Sequence, residues 1–192
     1  EALQELRPGL YILPEGGKGA PALKGCAEII DELEGVYDCI ALAAGTGTTA
    51  AGLLAHPKAP KIRVYAALKG GAFLKPAIAQ YLQEYQSEYG LAPIPRDLLN
   101  RKLELCTDYH FGGFARINQE LVQFMNETYR NYQLKLDPVY TSKLLFGLLK
   151  DIEAGRFKAG SRVLVLHSGG LQGIAGMNRR LAKKSEELIA YD

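Results

Sequence analysis

The sequence predicts an α/β fold, an open and mostly parallel sheet flanked by helices. Strand-length apolar segments alternate along the chain with amphipathic segments of helix length, and glycine turns follow two of the predicted strands. Such alternation is typical of βαβ units around a parallel sheet. Ligands of such sheets bind beyond the carboxyl ends of the strands, so the turns at 45–47 and 169–170 are candidate ligand sites.

The first half of the chain predicts three strands and three helices. Residues 37–44 and 61–68 are nearly continuous apolar runs, as expected for strands covered on both faces. The segment 20–35 places apolar residues on one helical face and ends at Gly35. The predicted strands are 10–14, 37–44 and 61–68, and the predicted helices are 20–35, 48–56 and 72–90.

The second half continues the alternation. Residues 101–109 alternate in the manner of a strand, and residues 162–170 form a β-branched strand that runs into a glycine turn. Amphipathic periodicity predicts helices at 114–132, 141–155 and 171–188. Thr141 or Ser142 would be a natural N-cap for the middle one of these helices.

Composition restricts the class of protein. The 192 residues carry a net charge of only +2, so nothing requires a nucleic-acid or anionic-membrane partner. No apolar run is long enough to span a bilayer, and the first residues lack the pattern of a signal peptide. Cys26, Cys39 and Cys106 have no zinc-ligand or disulfide spacing, which predicts no metal site and suits a cytoplasmic protein.

The segment AAGTGTTAAG (43–52) is a glycine–threonine loop between a predicted strand and a predicted helix. It satisfies G-x-G-x-x-G/A, but a dinucleotide fold also needs an acidic residue about 20 positions on, and none occurs between Asp38 and Glu84. A Walker loop needs a lysine, which this loop lacks. Two interpretations stay open: a monophosphate cradle at a helix N-terminus, or a tight turn whose threonines cap the helix.

Six motifs extend this interpretation. In order, the chain contains YILPEGG, LAAGTGTTAAGL, AALKGGAFL, DYHFGGF, DPVYTSKLLFGL and VLHSGG. Together they resemble the 1-aminocyclopropane-1-carboxylate deaminase and D-cysteine desulfhydrase family of pyridoxal-phosphate enzymes. The resemblance covers essentially the whole chain and implies the tryptophan-synthase-β-like fold, known as fold type II, with pyridoxal 5'-phosphate as cofactor.

The resemblance also implies what part of the protein this chain represents. In that family the Schiff-base lysine lies upstream of the PEGG motif, whereas Lys69 and Lys143 stand in other motifs. Residues 1–192 are therefore expected to be the C-terminal part of a lyase, mainly its cofactor-binding large domain. A homodimer and a small amino-acid substrate are further expectations.

Site residues follow from the resemblance, position by position. Tyr140 matches a tyrosine that faces the substrate and takes part in proton transfer, and Thr141 matches the position that faces the pyridine nitrogen. The deaminase branch carries glutamate at the position of Thr141 and leucine at that of Ser168. Phe114 stands where well-studied members carry a second active-site tyrosine. The cofactor-binding residues expected are Gly45, Thr46, Gly47, Thr48, Thr49, Thr141 and Ser168.

The threonine at 141 favours β-elimination, because a hydroxyl leaves the ring nitrogen largely unprotonated. The function predicted is a lyase that converts D-cysteine to pyruvate, sulfide and ammonia. Two alternatives stay open: a 1-aminocyclopropane-1-carboxylate deaminase, and a non-catalytic fragment that binds a phosphate ligand because the chain lacks the Schiff-base lysine.

Overall fold

The fold rests on a four-stranded parallel sheet with the strand order β3–β2–β1–β4. A computed structural model describes residues 5, 7, 9, 10 and 12–191. The strands are β1 (Cys39–Ala44), β2 (Lys61–Ala66), β3 (Leu103–Cys106) and β4 (Val163–Val165). The predicted fold class is confirmed.

Helices cover both faces of this sheet. They are α1 (Ala20–Glu28), α2 (Thr48–Ala55), α3 (Leu74–Tyr89), α4 (Arg96–Lys102), α5 (Gln119–Tyr132), α6 (Thr141–Glu153) and α7 (Ile174–Ala182). Short 3₁₀ turns occupy Glu15–Gly17, Gly71–Phe73 and Leu171–Gly173.

Alternate residues of the central strands point to opposite faces, because the side-chain period of a strand is two. Ile40 and Leu42 of β1 join a core with α1, α2 and α3. Ala41 of β1 and Tyr65 of β2 instead pack against Leu144 and other residues of α6. A third apolar cluster joins α5, α7 and the segment that ends at Tyr191.

Helix α6 begins at Thr141, as predicted, but neither Thr141 nor Ser142 is its N-cap. The N-cap position is Tyr140, whose side chain makes no capping hydrogen bond. The carboxylate of Asp137 instead accepts from the backbone N–H groups of Val139, Tyr140 and Thr141 at 2.7–2.8 Å. An acidic side chain there satisfies donors that the first turn leaves without partners.

Three local predictions differ from the structure. Leu10 and residues 12–14 form no strand, and Tyr11 lies outside the described residues. Residues 101 and 102, predicted to begin a strand, end helix α4, in which Asp97 and Arg101 form an (i, i+4) ion pair at 3.0 Å. Predicted helix 114–132 begins only at Gln119, where Asn118 accepts a capping bond from Leu121 N–H.

Among the described residues, no helix has the length and apolar character needed to cross a membrane. Cys26, Cys39 and Cys106 are free thiols.

Candidate functional site

A cavity of about 180 Å³ opens at the carboxyl end of β1. Four separate segments form it: the 3₁₀ turn Glu15–Gly17, the connection from the end of β1 into the start of α2, the residue before α6, and the turn after β4. Its lining residues are Gly16, Ala43, Ala44, Gly45, Thr46, Gly47, Thr48, Thr49, Ala50, Tyr140 and Ser168. The position agrees with the ligand site expected for an open α/β sheet.

Gly47 sets the path of the glycine–threonine loop. Its φ of 87° is left-handed, and a Cβ there would lie 3.0 Å from Cγ1 of Ile78. Glycine adopts this conformation without steric cost and lets the loop pack closely on α3. The chain can therefore turn directly from β1 into α2.

The N-terminus of α2 presents backbone donors to the cavity. The first intrahelical bond runs from Ala51 N–H to the Gly47 carbonyl at 3.0 Å, so the N–H groups of Thr48, Thr49 and Ala50 precede it. No described side chain caps this end of the helix. The structure therefore does not support the interpretation in which the threonines cap the helix.

The threonine hydroxyls add donors beside this helix end. Oγ1 of Thr46 and Oγ1 of Thr48 lie 3.0 Å apart and share one hydrogen bond. One of the two hydroxyl protons is therefore left for a ligand. The donors, together with the positive end of the helix dipole, match the requirements of a phosphate monoester.

Two glycines allow the walls of the cavity to approach each other. A Cβ on Gly16 would lie 2.5 Å from Cγ2 of Thr46, and Gly16 itself has a left-handed φ of 69°. A Cβ on Gly45 would lie 3.0 Å from the hydroxyl oxygen of Tyr140. The Tyr140 hydroxyl is thus held directly over the first glycine of the loop.

Tyr140 is half-buried and keeps its proton. Burial, with the negative charges of Asp137 and Glu15, raises the pKa of the Tyr140 hydroxyl. The ring of Phe114 meets that of Tyr140 edge-on, with the centroids 6.0 Å apart. Phe114 itself is 59% exposed and adds no polar group to this wall.

Thr141 is the one predicted site residue that does not line the cavity. It is 2% exposed, and its hydroxyl donates to Oδ2 of Asp137 at 2.7 Å while accepting from the Asp137 N–H at 2.8 Å. The single hydroxyl proton is already used, and one acceptor position is left. Its role toward a ring nitrogen stays a prediction.

Asp137 is the residue that sequence reasoning missed. It is 1% exposed, it orders Val139, Tyr140 and Thr141, and a Cβ on Gly170 would lie 3.0 Å from its Cγ. Asp137 therefore joins the start of α6 to the glycine turn beside Ser168. An aspartate followed by proline, just before a predicted helix, is the signal that could have identified it.

The structure thus brings together Gly45, Thr46, Gly47, Thr48, Thr49, Tyr140 and Ser168 around one cavity. Ser168 is exposed at its rim. Within the described chain, no group of three or more His, Cys, Asp or Glu side chains is placed to hold a metal ion.

Comparisons with known proteins agree with this geometry. Residues 2–169 match the family described as pyridoxal-phosphate dependent enzyme. The chain is 29% identical over 178 residues to a D-cysteine desulfhydrase of Yersinia enterocolitica, covering 87% of this chain and 52% of that protein. It is 27% identical over 175 residues to a 1-aminocyclopropane-1-carboxylate deaminase of Bradyrhizobium diazoefficiens, covering 86% of this chain and 52% of that protein.

A crystal structure of an ACC deaminase homologue has the same fold, with a TM-score of 0.76 at 26% identity over 94% of this chain and 55% of that one. The chain spans about half the length of the curated relatives it matches. Pyridoxal phosphate, the cofactor predicted from the resemblance, is the cofactor of this family. The chain belongs to the pyridoxal-phosphate-dependent enzymes, among relatives named for deaminase and desulfhydrase activity.

Proposed function

We propose that the protein carrying this chain is a lyase that cleaves a small amino acid by β-elimination. D-Cysteine and water would give pyruvate, hydrogen sulfide and ammonia. The observation that carries the proposal is the cavity in which the glycine–threonine loop, with the backbone N–H groups that precede the first bond of α2, lies beside the Tyr140 hydroxyl. Residues 1–192 would supply mainly the cofactor-binding domain, and we expect the protein to be a cytoplasmic homodimer.

The task of the glycine–threonine loop, at residues 45–50, is to anchor the cofactor phosphate. Backbone N–H groups and threonine hydroxyls bind a phosphate dianion at the helix N-terminus, where the dipole favours negative charge. When bound, pyridoxal phosphate supplies the electron sink for cleavage at the β-carbon. The loop fixes where that sink lies relative to Tyr140.

Tyr140 has the task of holding a proton at its hydroxyl oxygen. The raised pKa lies farther from neutral pH than that of a free tyrosine, so the phenol keeps its proton and is suited to donate a hydrogen bond. Replacing Tyr140 with Phe removes only this hydroxyl, so we expect kcat to fall by about 10²–10³-fold while cofactor affinity is retained. Steady-state kinetics and a cofactor titration of the same variant check this.

The deaminase is the second candidate. The position that carries glutamate in that branch holds Thr141, and the Thr141 hydroxyl gives its proton to Asp137. No carboxylate is offered at residue 141 to keep a ring nitrogen protonated, which supports elimination over ring opening. A non-catalytic phosphate-binding protein is the third candidate, since the described cavity contains no lysine.

One assay separates the three candidates. The full-length protein that contains this chain is loaded with pyridoxal phosphate and offered D-cysteine, L-cysteine or 1-aminocyclopropane-1-carboxylate in turn. Equal amounts of sulfide, pyruvate and ammonia from D-cysteine are the expected result. Ammonia from the cyclopropane substrate without sulfide from cysteine would indicate the deaminase. Bound cofactor without turnover of any of the three would indicate a binding protein.

A further inference from the structure

Lys143 is a buried lysine that the proposed reaction does not use. It lies in the first turn of α6 and is 1% exposed. Its Nζ donates to three backbone carbonyls, those of Ala67 at 2.9 Å, His110 at 2.9 Å and Gly113 at 2.8 Å. All three N–H donors of the ammonium are therefore satisfied.

The charge of Lys143 has no ion-pair partner among the described residues. Among the described side chains, no carboxylate lies within 4.0 Å of its Nζ, and the charge of Asp137 acts on it from farther away. Burial lowers the pKa of Lys143 to about 8, and Asp137 opposes this shift. Peptide dipoles, rather than an opposite charge, therefore solvate the ammonium.

The three carbonyls come from two segments that lie far from α6 in sequence. Ala67 follows β2, and its N–H donates to the Ala44 carbonyl at 3.0 Å, at the base of the glycine–threonine loop. His110 and Gly113 belong to the turn after β3, which is closed by a bond from Gly113 N–H to the His110 carbonyl at 3.0 Å. The ammonium thus joins the end of β2, this turn and α6.

We infer that the carbonyls of Ala67, His110 and Gly113 form a monovalent-cation site, which the chain fills with its own Lys143 ammonium. Converging carbonyl oxygens replace the hydration shell of ions such as K⁺. An ammonium group offers the same charge with three directed donors. The ammonium is tethered to α6 and bonded to Gly113, the residue before Phe114. It therefore helps to position Phe114, whose ring contacts that of Tyr140.

This inference stands apart from the proposed reaction, since it concerns what holds the turn in place. Removing the side chain should leave three carbonyls facing a small hole, which a free cation of similar size can enter. A methionine at the same position should fill that hole with an apolar chain and block the cation. The two variants therefore separate loss of packing from loss of the cation.

The test uses the full-length protein, with Lys143→Ala, Lys143→Met and the exposed-lysine control Lys69→Ala. Melting temperature is measured in ammonium, methylammonium, potassium or tetramethylammonium chloride at one ionic strength. We expect Lys143→Ala to melt lower and to recover at least half of the loss, saturably, in ammonium or methylammonium. Lys143→Met, Lys69→Ala and the unaltered protein should show no such selectivity. Equal recovery in tetramethylammonium, or none in any salt, would overturn the inference.

A measurement on the unaltered protein covers the case in which Lys143→Ala does not fold. In protein labelled with ¹⁵N-lysine, the Nζ protons of Lys143 should exchange slowly with water at pH 6, because each is bonded to a carbonyl. One slowly exchanging ammonium signal, absent from Lys143→Met, is expected. Uniformly fast exchange of all lysine Nζ protons would count against the cation site.

Discussion

The two ends of the sheet carry cavities of very different character. The larger, about 310 Å³, lies where β1 and β2 begin and is lined by Lys61, Arg63, Arg156, Lys158, Asp38 and Glu104 among others. The smaller, about 180 Å³, lies at the carboxyl end of β1 and is lined by glycines, alanines, hydroxyls and no charged side chain. Size and charge alone would favour the larger of these two cavities as the ligand site.

Four of the charged residues beside the larger cavity, Lys61, Arg63, Arg156 and Glu104, form ion pairs with one another or with Asp151. Arg63 is 7% exposed and donates to Glu104, to Oδ2 of Asp151 at 2.8 Å and to the Tyr65 hydroxyl at 3.1 Å. Asp151 also accepts from the Tyr65 and Tyr109 hydroxyls, each at 2.8 Å. We call Arg63, Tyr65, Tyr109 and Asp151 the Asp151 network.

The comparison teaches that backbone donors without an intrahelical partner, rather than charge or volume, distinguish the proposed phosphate site. The Asp151 network uses its polar atoms to join β2 to α6, so it has little left for a ligand. At the 45–50 loop, the first backbone donors of α2 have no partner within the helix. Substitutions in the Asp151 network should therefore lower the stability of the fold, whereas substitutions at the glycine–threonine loop should weaken cofactor binding.

The largest effect is expected from Asp151→Ala. Among the described residues, it leaves the buried Arg63 guanidinium with Glu104 as its one remaining ion-pair partner, so we expect the free energy of unfolding to fall by about 3–5 kcal/mol. Urea unfolding of the full-length protein measures this. Glu153→Ala is the matched control, because Glu153 makes only an exposed pair with Lys150 and should cost less than about 1 kcal/mol. A similar small loss in both variants would contradict a structural network.

Gly45→Val should act on the cofactor instead. The new side chain would collide with the Tyr140 hydroxyl and fill the cavity, so we expect pyridoxal-phosphate affinity to fall by about 10–100-fold, from overpacking of about 1–3 kcal/mol. Absorbance titration measures the affinity. Gly25→Ala is the control, because a Cβ there meets nothing within 4 Å, and alanine should stabilise α1 by about 0.5–1 kcal/mol.

Thr48→Val tests one hydroxyl of the loop with little change of shape. Thr48 is 5% exposed, and a lost hydrogen bond to the phosphate should weaken pyridoxal-phosphate binding by about 10-fold, since bonds to charged groups contribute about 1.5 kcal/mol or more. The matched control is Thr128→Val in α5, whose hydroxyl bonds the Phe124 carbonyl away from the cavity. Equal cofactor affinity in both variants would show that the Thr48 hydroxyl does not bind the phosphate.

The smallest effect expected is an acid-dependent loss of stability at the Asp151 network. Burial alone would raise the pKa of the Asp151 carboxyl, but hydrogen bonds from Tyr65, Tyr109 and Arg63 outweigh burial and hold it below its usual value. The folded state therefore binds this proton more weakly than the unfolded state. The ionised Asp151 carboxylate therefore adds to the free energy of unfolding above about pH 4, and this contribution is lost as the pH falls further.

Urea unfolding between pH 3 and pH 6 measures the slope of the free energy of unfolding against pH, and Asp151→Asn should flatten this slope. If the variant retains the full slope, the acid sensitivity arises at other carboxylates.

The sequence was sufficient to predict the central strands and the loop between β1 and α2. Residues 37–44 and 61–68 read as buried strands because both faces of β1 and β2 are covered. The strand predicted at 10–14 is wrong because apolar composition alone cannot supply a neighbouring strand. Helix α4 was missed because it is only 7 residues long and follows prolines at 93 and 95.

The buried polar contacts that hold the fold around the site depend on residues far apart in the chain. Lys143 meets carbonyls 76, 33 and 30 positions away, and Arg63 meets Asp151 across 88 positions. Periodicity assigns such residues to a helix or a strand but does not identify their partners. Local chemistry could have identified Asp137. The pairing of Arg63 with Asp151 could be identified only from the packing of α6 against the sheet.

Hydrogen–deuterium exchange tests most directly which end of the sheet binds the phosphate. The full-length protein containing this chain is compared without ligand, with pyridoxal phosphate and with pyridoxal, which lacks the phosphate. We predict that pyridoxal phosphate slows amide exchange in peptides covering 43–52, that pyridoxal does so far less, and that peptides covering 61–66 and 156–163 do not change. Protection centred on 61–66 and 156–163, or equal protection of 43–52 by both compounds, would contradict phosphate binding at the glycine–threonine loop.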